Sequence, residues 1–318
     1  MPGAKPRAAD EFSEIARLFR PLTGGAPGAF DLLDDAAVAP RRPGFDMVLT
    51  KDAIVEGVHF LTGERPDLIA RKLVRVNLSD LAAKAAEPFG CLLAVAWPQA
   101  FGADEREAFA RGLGEDLKAF GVALLGGDTV STPGPFTASL TALGWVAEGR
   151  MIRRAGAGPG DLVAVSGTIG DGTLGLAAVR GEIDDPDGWL AARYRLPTPR
   201  LDLRAALAAR ASAAADVSDG LVADAGHIAE ASGVGMRLDL DALPLSPAAR
   251  AWLDRRPDRV AALIRLATGG DDYEVVCAAP GVAPDGFTVC GVFVSGTDIE
   301  VRIDGRRVEV GPGGWRHL

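Results

Sequence analysis

Aspartate closes nearly every apolar segment of this 318-residue chain. Asp34-Asp35, Asp52, Asp128, Asp216, Asp219 and Asp271-Asp272 each stand where an apolar run gives way to a loop. Singly, such residues cap helices and stabilise turns. Together they form an oxygen-only ligand set, the kind magnesium uses when it bridges carboxylates to phosphate. Clustered carboxylates repel one another and raise one another's pKa values, and a hard cation among them keeps them all ionised. Calcium is the competing cation, but the D-x-[DN]-x-[DN]-G spacing of an EF-hand loop is absent.

Asp80 is the most informative single acid. Leu73, Val76, Asn77, Asp80, Leu81 and Lys84 share one face of a helix expected over residues 67–87. A carboxylate partly buried there needs a cation or strong donors. Two partners stay open at this point, a metal ion or Lys84 one turn on. A strand followed by Gly167-Thr168-Ile169-Gly170-Asp171-Gly172 and a helix has two readings as well. It is either a phosphate-binding loop at a helix N-terminus or a plain tight turn. Arg153 and Arg154 upstream are forks suited to a polyphosphate, or a solvated linker. The chain has three histidines. His59 lies close to Asp52, and His227 lies on a helix face between Asp224 and Glu230. No Ser-His-Asp or Cys-His pairing follows from their spacing.

Absent motifs narrow the chemistry. The P-loop G-x-x-x-x-G-K-[ST], the dinucleotide G-x-G-x-x-G after a strand, the H-R-D and D-F-G pair and G-x-S-x-G are all missing. A net charge of −9 argues against a nucleic-acid partner, which needs clustered Lys and Arg. Cys91, Cys277 and Cys290 are odd in number and lack C-x-x-C spacing, so a reducing cytoplasm is expected. Residues 1–21 hold no uninterrupted apolar run of the secretory kind, and the strongest apolar stretch, residues 91–97, is far short of a bilayer span.

The elements that must position these acids alternate between helix and strand. Strands are expected at residues 46–50, 91–97, 122–125 and 136–147, with helices over 11–19, 67–87 and 104–120. A boundary near residues 149–160, rich in Gly and Arg, divides a domain of residues 1–150 from one of residues 151–318. In the second half, strand, glycine loop and helix lead to Asp216-Val217-Ser218-Asp219-Gly220, two short helices, Gly269-Gly270-Asp271-Asp272 and three short strands.

Taken in order, these stretches resemble the thiamine-monophosphate kinase family, within the superfamily of aminoimidazole ribonucleotide synthetase. The resemblance rests on Asp34-Asp35-Ala36-Ala37-Val38, Thr50-Lys51-Asp52 through Val55-Glu56-Gly57-Val58-His59-Phe60, and Val76-Asn77-Leu78-Ser79-Asp80-Leu81-Ala82-Ala83. It continues in Gly126-Gly127-Asp128-Thr129, Arg154, Asp216-Val217-Ser218-Asp219-Gly220-Leu221, Gly269-Gly270-Asp271-Asp272-Tyr273-Glu274 and the terminal Gly314-Trp315-Arg316-His317. It implies an α/β (α+β) two-domain aminoimidazole ribonucleotide synthetase-like fold, with a mixed sheet in each domain flanked by helices. It implies Mg-dependent phosphorylation of thiamine monophosphate by ATP, in a cytoplasmic homodimer formed through the N-terminal sheet. The second domain would carry its glycine-rich phosphate loop.

By the same resemblance the metal positions fall on Asp35, Thr50, Lys51, Asp52, Asp80, Asp128, Asp216 and Asp219. ATP contacts fall on Gly127, Asp128, Arg154 and Ser218, and substrate contacts on His59, Asp271 and Trp315. The acceptor is a phosphate oxygen already ionised near neutral pH, so no covalent or general-base catalytic residue is expected. Leu33 stands where the family has Gly, Lys51 where it often has Thr, and Asp271 where it has Glu. The alternatives are a superfamily enzyme with another acceptor, or a non-catalytic nucleotide- or metal-binding protein.

Overall fold

A computed structural model of the chain describes residues 11–311 and Gly314. The chain divides into two compact units. The first comprises Met1–Gly44, Leu49–Asn77 and Pro88–Gly144; the second comprises Phe45–Val48, Leu78–Glu87 and Trp145–Leu318.

The first half opens with a short helix α1 (Glu11–Glu14) continued by a π-helical turn, Ile15–Phe19. It then runs through β1 (Phe45–Val55), α2 (Pro66–Ala83), β2 (Glu87–Pro98), α3 (Ala103–Phe120), β3 (Ala123–Thr132) and β4 (Thr137–Ala147). The four strands form one sheet in the order β1-β4-β2-β3. β2 and β3 run parallel, and Ala94 is the register partner of Asp128. Pro66 starts α2, where a missing N–H costs nothing, and left-handed Gly121 ends α3. The core of the first unit is aromatic: Trp97, Phe109 and Phe136 meet with centroids 5.3–5.6 Å apart. Asp116, fully buried on α3, accepts from Arg71 at 3.0 Å and from Arg75 at 2.5 Å, clamping α2 to α3. β1 and β3 are longer than their apolar runs, because they continue through Lys51-Asp52 and Asp128-Thr129.

The second half contains β5 (Leu162–Ser166), α4 (Asp171–Val179), α5 (Trp189–Arg195), α6 (Arg204–Arg210), β6 (Ala213–Asp216), α7 (Leu221–Ser232) and β7 (Gly235–Asp239). It closes with α8 (Pro247–Asp254), α9 (Arg259–Thr268), β8 (Val275–Ala279), β9 (Phe287–Val294), β10 (Ile299–Ile303) and β11 (Arg306–Val308). Its seven strands make a mixed sheet, order β11-β10-β7-β9-β5-β8-β6, in which β7 and β10 are parallel. Small residues let this sheet bury both faces: Ala213, Ala214 and Ala215 on β6 are all sequestered. One face joins a large cluster with Ile169, Leu174, Ile228, Leu266 and Phe293, and the other joins Ala82, Ala83 and Leu207. Among the described residues four strands follow Asp272 where three were expected, and α5 has no counterpart among the sequence expectations.

Candidate active site

In the first unit, β1 carries Thr50, Lys51 and Asp52 consecutively. Side chains alternate across a strand, so Thr50 and Asp52 share a face while Lys51 points away. Burial follows suit: Thr50 and Asp52 are half-buried and Lys51 is exposed. Lys51 can therefore join a cation held by Thr50 and Asp52 only through its main chain. The Asp52 N–H donates to Asn77 Oδ1 at 3.0 Å, which pins the middle of β1 to α2. The chain then turns tightly. His59 Nδ1 accepts the Val55 N–H at 3.0 Å, which leaves Nε2 as the donor of the neutral ring.

Asp35 and Asp128 come together. Both line a cavity of about 690 Å³ in the first unit, with Asp34, Gly126, Gly127 and Thr129 around them. Gly127 has to be glycine, because a Cβ there would strike the carbonyl of Leu93 on β2. The cavity combines exposed carboxylates with an apolar wall that includes Phe12 and Leu124. Such a volume accommodates a small-molecule ligand.

In the second unit the acids gather around the end of β6. Asp216 is buried at its last position, and Asp219 is half-buried in the loop that follows. Lys84, four residues after Asp80, donates Nζ to Ala214 O at 2.7 Å. Burial lowers its pKa, and Asp216 counters this more strongly than Asp80 does. Lys84 thus ties α2 to β6 while the charge of Asp80 also acts on it. Arg154 is exposed, yet its charge is felt at both Lys84 and Asp224.

The loop Asp216–Gly220 is held from two sides. On one, Asp271 N–H donates to Ser218 O at 2.9 Å and Tyr273 N–H to Val217 O at 2.8 Å. On the other, buried Asp224 of α7 accepts the N–H groups of Asp219 at 3.1 Å and Gly220 at 3.2 Å. Burial, and then the charge of Asp219, pushes the Asp224 carboxyl up to about 7. Asp219, Asp224 and His227 each offer one ligand atom within 4.8 Å of the others.

The glycine loop corrects one expectation. Gly170 and Gly172 were candidates to present their N–H groups to a phosphate. Instead both donate to Asp272, at 2.7 Å to Oδ2 and 2.8 Å to Oδ1. A fully buried carboxylate of the chain fills the place an anion would take. Its pKa stands well above the usual range because burial outweighs those two N–H donors. Glu274, also fully buried, is gripped by Arg193 at 2.9 Å, by Arg200 and by Ser166 Oγ at 2.7 Å. Asp271, with a left-handed φ of 69°, is the half-buried acid of this run. Trp315 lies outside the described residues.

The sequence reading missed Asp224, Asp272 and Glu274 as organisers. Asp224 had a signal: Leu221, Asp224, Ala225 and Ile228 form an i, i+3, i+4, i+7 stripe, so the acid sits in an apolar face. Among the described residues no helix is long and apolar enough to cross a membrane.

Two family models cover most of the chain. The AIR synthase related protein N-terminal domain matches residues 33–146, and its C-terminal domain matches residues 158–286. These define the class: a two-domain AIR synthase related protein. Among relatives, the thiamine-monophosphate kinase of Caulobacter vibrioides is 56% identical over 99% of this chain and 93% of its own length. The crystal structure of thiamine-monophosphate kinase from Stenotrophomonas maltophilia superposes with a TM-score of 0.77 at 38% identity, covering 87% of this chain and 91% of that one. AaThiL complexed with AMPPCP and TMP gives a TM-score of 0.79 at 29% identity, covering 92% and 98%. The chain belongs to the thiamine-monophosphate kinase family.

Proposed function

We propose that this chain transfers the γ-phosphoryl group of ATP to the phosphate of thiamine monophosphate, releasing ADP and thiamine diphosphate. Full-length identity of 56% with a thiamine-monophosphate kinase supports the reading. So does a relative that holds an ATP analogue and TMP together. The observation that carries it on this chain is the cavity that Asp35, Gly127 and Asp128 all line.

The donor set suits magnesium: Asp35, Thr50, Asp52, Asp80, Asp128, Asp216 and Asp219 offer hard oxygens, and Lys51 offers its main chain. When bound, magnesium neutralises charge on the triphosphate oxygens during transfer. Gly127, Asp128, Arg154 and Ser218 would bind the nucleotide, and His59, Asp271 and Trp315 the thiamine substrate. His59 Nε2–H is a donor suited to the acceptor phosphate. That phosphate attacks in line and carries no proton that must be removed, so the transfer is direct and needs no general base.

A homodimer and a cytoplasmic setting belong to the same reading. Asp52 and Asp128 lie on opposite edge strands, β1 and β3, three strand spacings or about 14 Å apart along the sheet. A second copy joined at this sheet would bring an edge strand of one protomer beside its partner. Sedimentation as a monomer at working concentration contradicts that part. The buried thiols of Cys91, Cys277 and Cys290 are all unpaired, in keeping with a reducing compartment.

The test is product analysis with ATP, magnesium and thiamine monophosphate. ADP and thiamine diphosphate should form in equal amounts. Release of inorganic phosphate without thiamine diphosphate would overturn the assignment.

A further inference from the structure

The main chain at Asp219 and Gly220 is held by a side chain, the carboxyl of Asp224. Gly220 turns the chain at φ +120°, and a Cβ there would meet the carbonyl of Thr268 at 2.8 Å. The turn delivers the N–H groups of Asp219 and Gly220 inward to one oxygen, Oδ2 of Asp224. The Asp224 N–H donates to Gly220 O at 3.0 Å, the first i→i−4 bond of α7. The Asp224 side chain thus reaches back from the first turn of α7 over the residues that precede it, as the acid of a capping box does. Its setting differs, because this carboxylate is 2% exposed and lies on the apolar stripe of α7.

Burying a carboxylate beside another acid is unfavourable for folding alone. An apolar residue on that stripe would pack against Ile228 and Ala225 without the cost, and a solvent-exposed Ser or Asn at the cap would serve the helix equally well. The arrangement makes sense if the geometry serves Asp219. The two hydrogen bonds remove the freedom of the loop that carries it. Residues of this kind behind a metal ligand tune affinity about as strongly as many ligands do.

We propose that Asp224 is a positioning residue that fixes the Asp219–Gly220 main chain and thereby sets the divalent-cation affinity of the kinase. The inference rests on the function proposed above, through the role given to Asp219.

Asp224→Ala and Asp224→Asn separate the roles, since the amide oxygen of Asn retains an acceptor for both N–H groups while Ala retains none. The first readout is direct Mn²⁺ binding to the full chain by electron paramagnetic resonance, without nucleotide or thiamine. The second is the Mg²⁺ concentration at half-maximal turnover, alongside Tm. Asp224→Ala should weaken Mn²⁺ binding and raise the Mg²⁺ midpoint by about tenfold or more. Asp224→Asn should recover most of that loss, and KM for thiamine monophosphate should stay within about twofold of the parent. A lowered Tm with unchanged Mn²⁺ affinity in both variants would overturn the proposal and leave Asp224 a structural cap. If Asp224→Ala does not fold, Asp224→Leu, which keeps the volume and offers no acceptor, takes its place, alone and in an Asp219→Asn background. Additive losses contradict the coupling, and a double variant no weaker than Asp219→Asn upholds it. Should the parent chain fail to phosphorylate thiamine monophosphate, the Mn²⁺ result still stands or falls by itself.

Discussion

Asn77 Oδ1 accepts the main-chain N–H of Asp52 at 3.0 Å, while its Nδ2 donates to Leu73 O at 2.8 Å. Both ends of a fully buried amide are engaged, one by its own helix and one by β1. Asp52 therefore receives its position along β1 from a side chain on α2. Replacing Asn77 with Leu keeps the volume and deprives the Asp52 N–H of this acceptor. We expect a stability loss of about 1–3 kcal/mol in urea titrations, with a fall in kcat larger than any change in KM for ATP. An unfolding midpoint equal to the parent's would contradict it.

Asp35 and Asp128 are exposed to the cavity they share and hold no core together. Asp35→Asn and Asp128→Asn should each leave stability within about 0.5 kcal/mol of the parent, as surface changes do. Turnover should fall by about 100-fold or more at saturating ATP, the scale of losing a group that holds the reacting charge. Steady-state kinetics paired with thermal melts decide the matter. A variant that turns over at the parental rate would remove its residue from the cation set.

The Asp224 carboxyl gives stability a pH dependence of defined sign. Burial and the neighbouring Asp219 hold it at about 7, against about 3.9 for an unfolded chain. Between those values the folded protein keeps a proton that the unfolded chain has released. Stability from this group is thus highest in acid and declines as pH rises from about 4 to about 7. In the presence of EDTA, Asp224→Asn should melt higher than the parent at pH 8 by on the order of 5 °C, with the two converging near pH 4. A gap of constant size across that range would show that the titration is not the cause.

The alternation of helix and strand was legible because α2, α3, α8 and α9 bury one stripe each and are bounded by Pro or Gly. Strand ends were less so, since β1 and β3 extend through Asp52 and Asp128, where polar side chains mask an extended backbone. In the second unit α5 escaped notice. Seven residues with Arg193 facing a buried Glu274 do not show an amphipathic period. For the site, the acids themselves were readable, but not what each one holds. Asp271 and Asp272 are neighbours of the same type, yet one, in a left-handed conformation, is half-buried and the other caps α4. Lys84 looked like a partner for Asp80 by helical spacing. It also donates to a carbonyl on β6, 130 residues away, and no local pattern announces that bond.

Asp272 at the head of α4 has a consequence for how the molecule meets dissolved salts. Because this carboxyl is tethered to the chain, its oxygens are present at an effective concentration far above that of any free ion. Millimolar sulfate or inorganic phosphate therefore gains no foothold at Gly170 and Gly172, although an unoccupied helix start would attract both. The chain resembles a lock with its own key left in one of the keyholes, so that triphosphates are offered one fewer wrong place to bind.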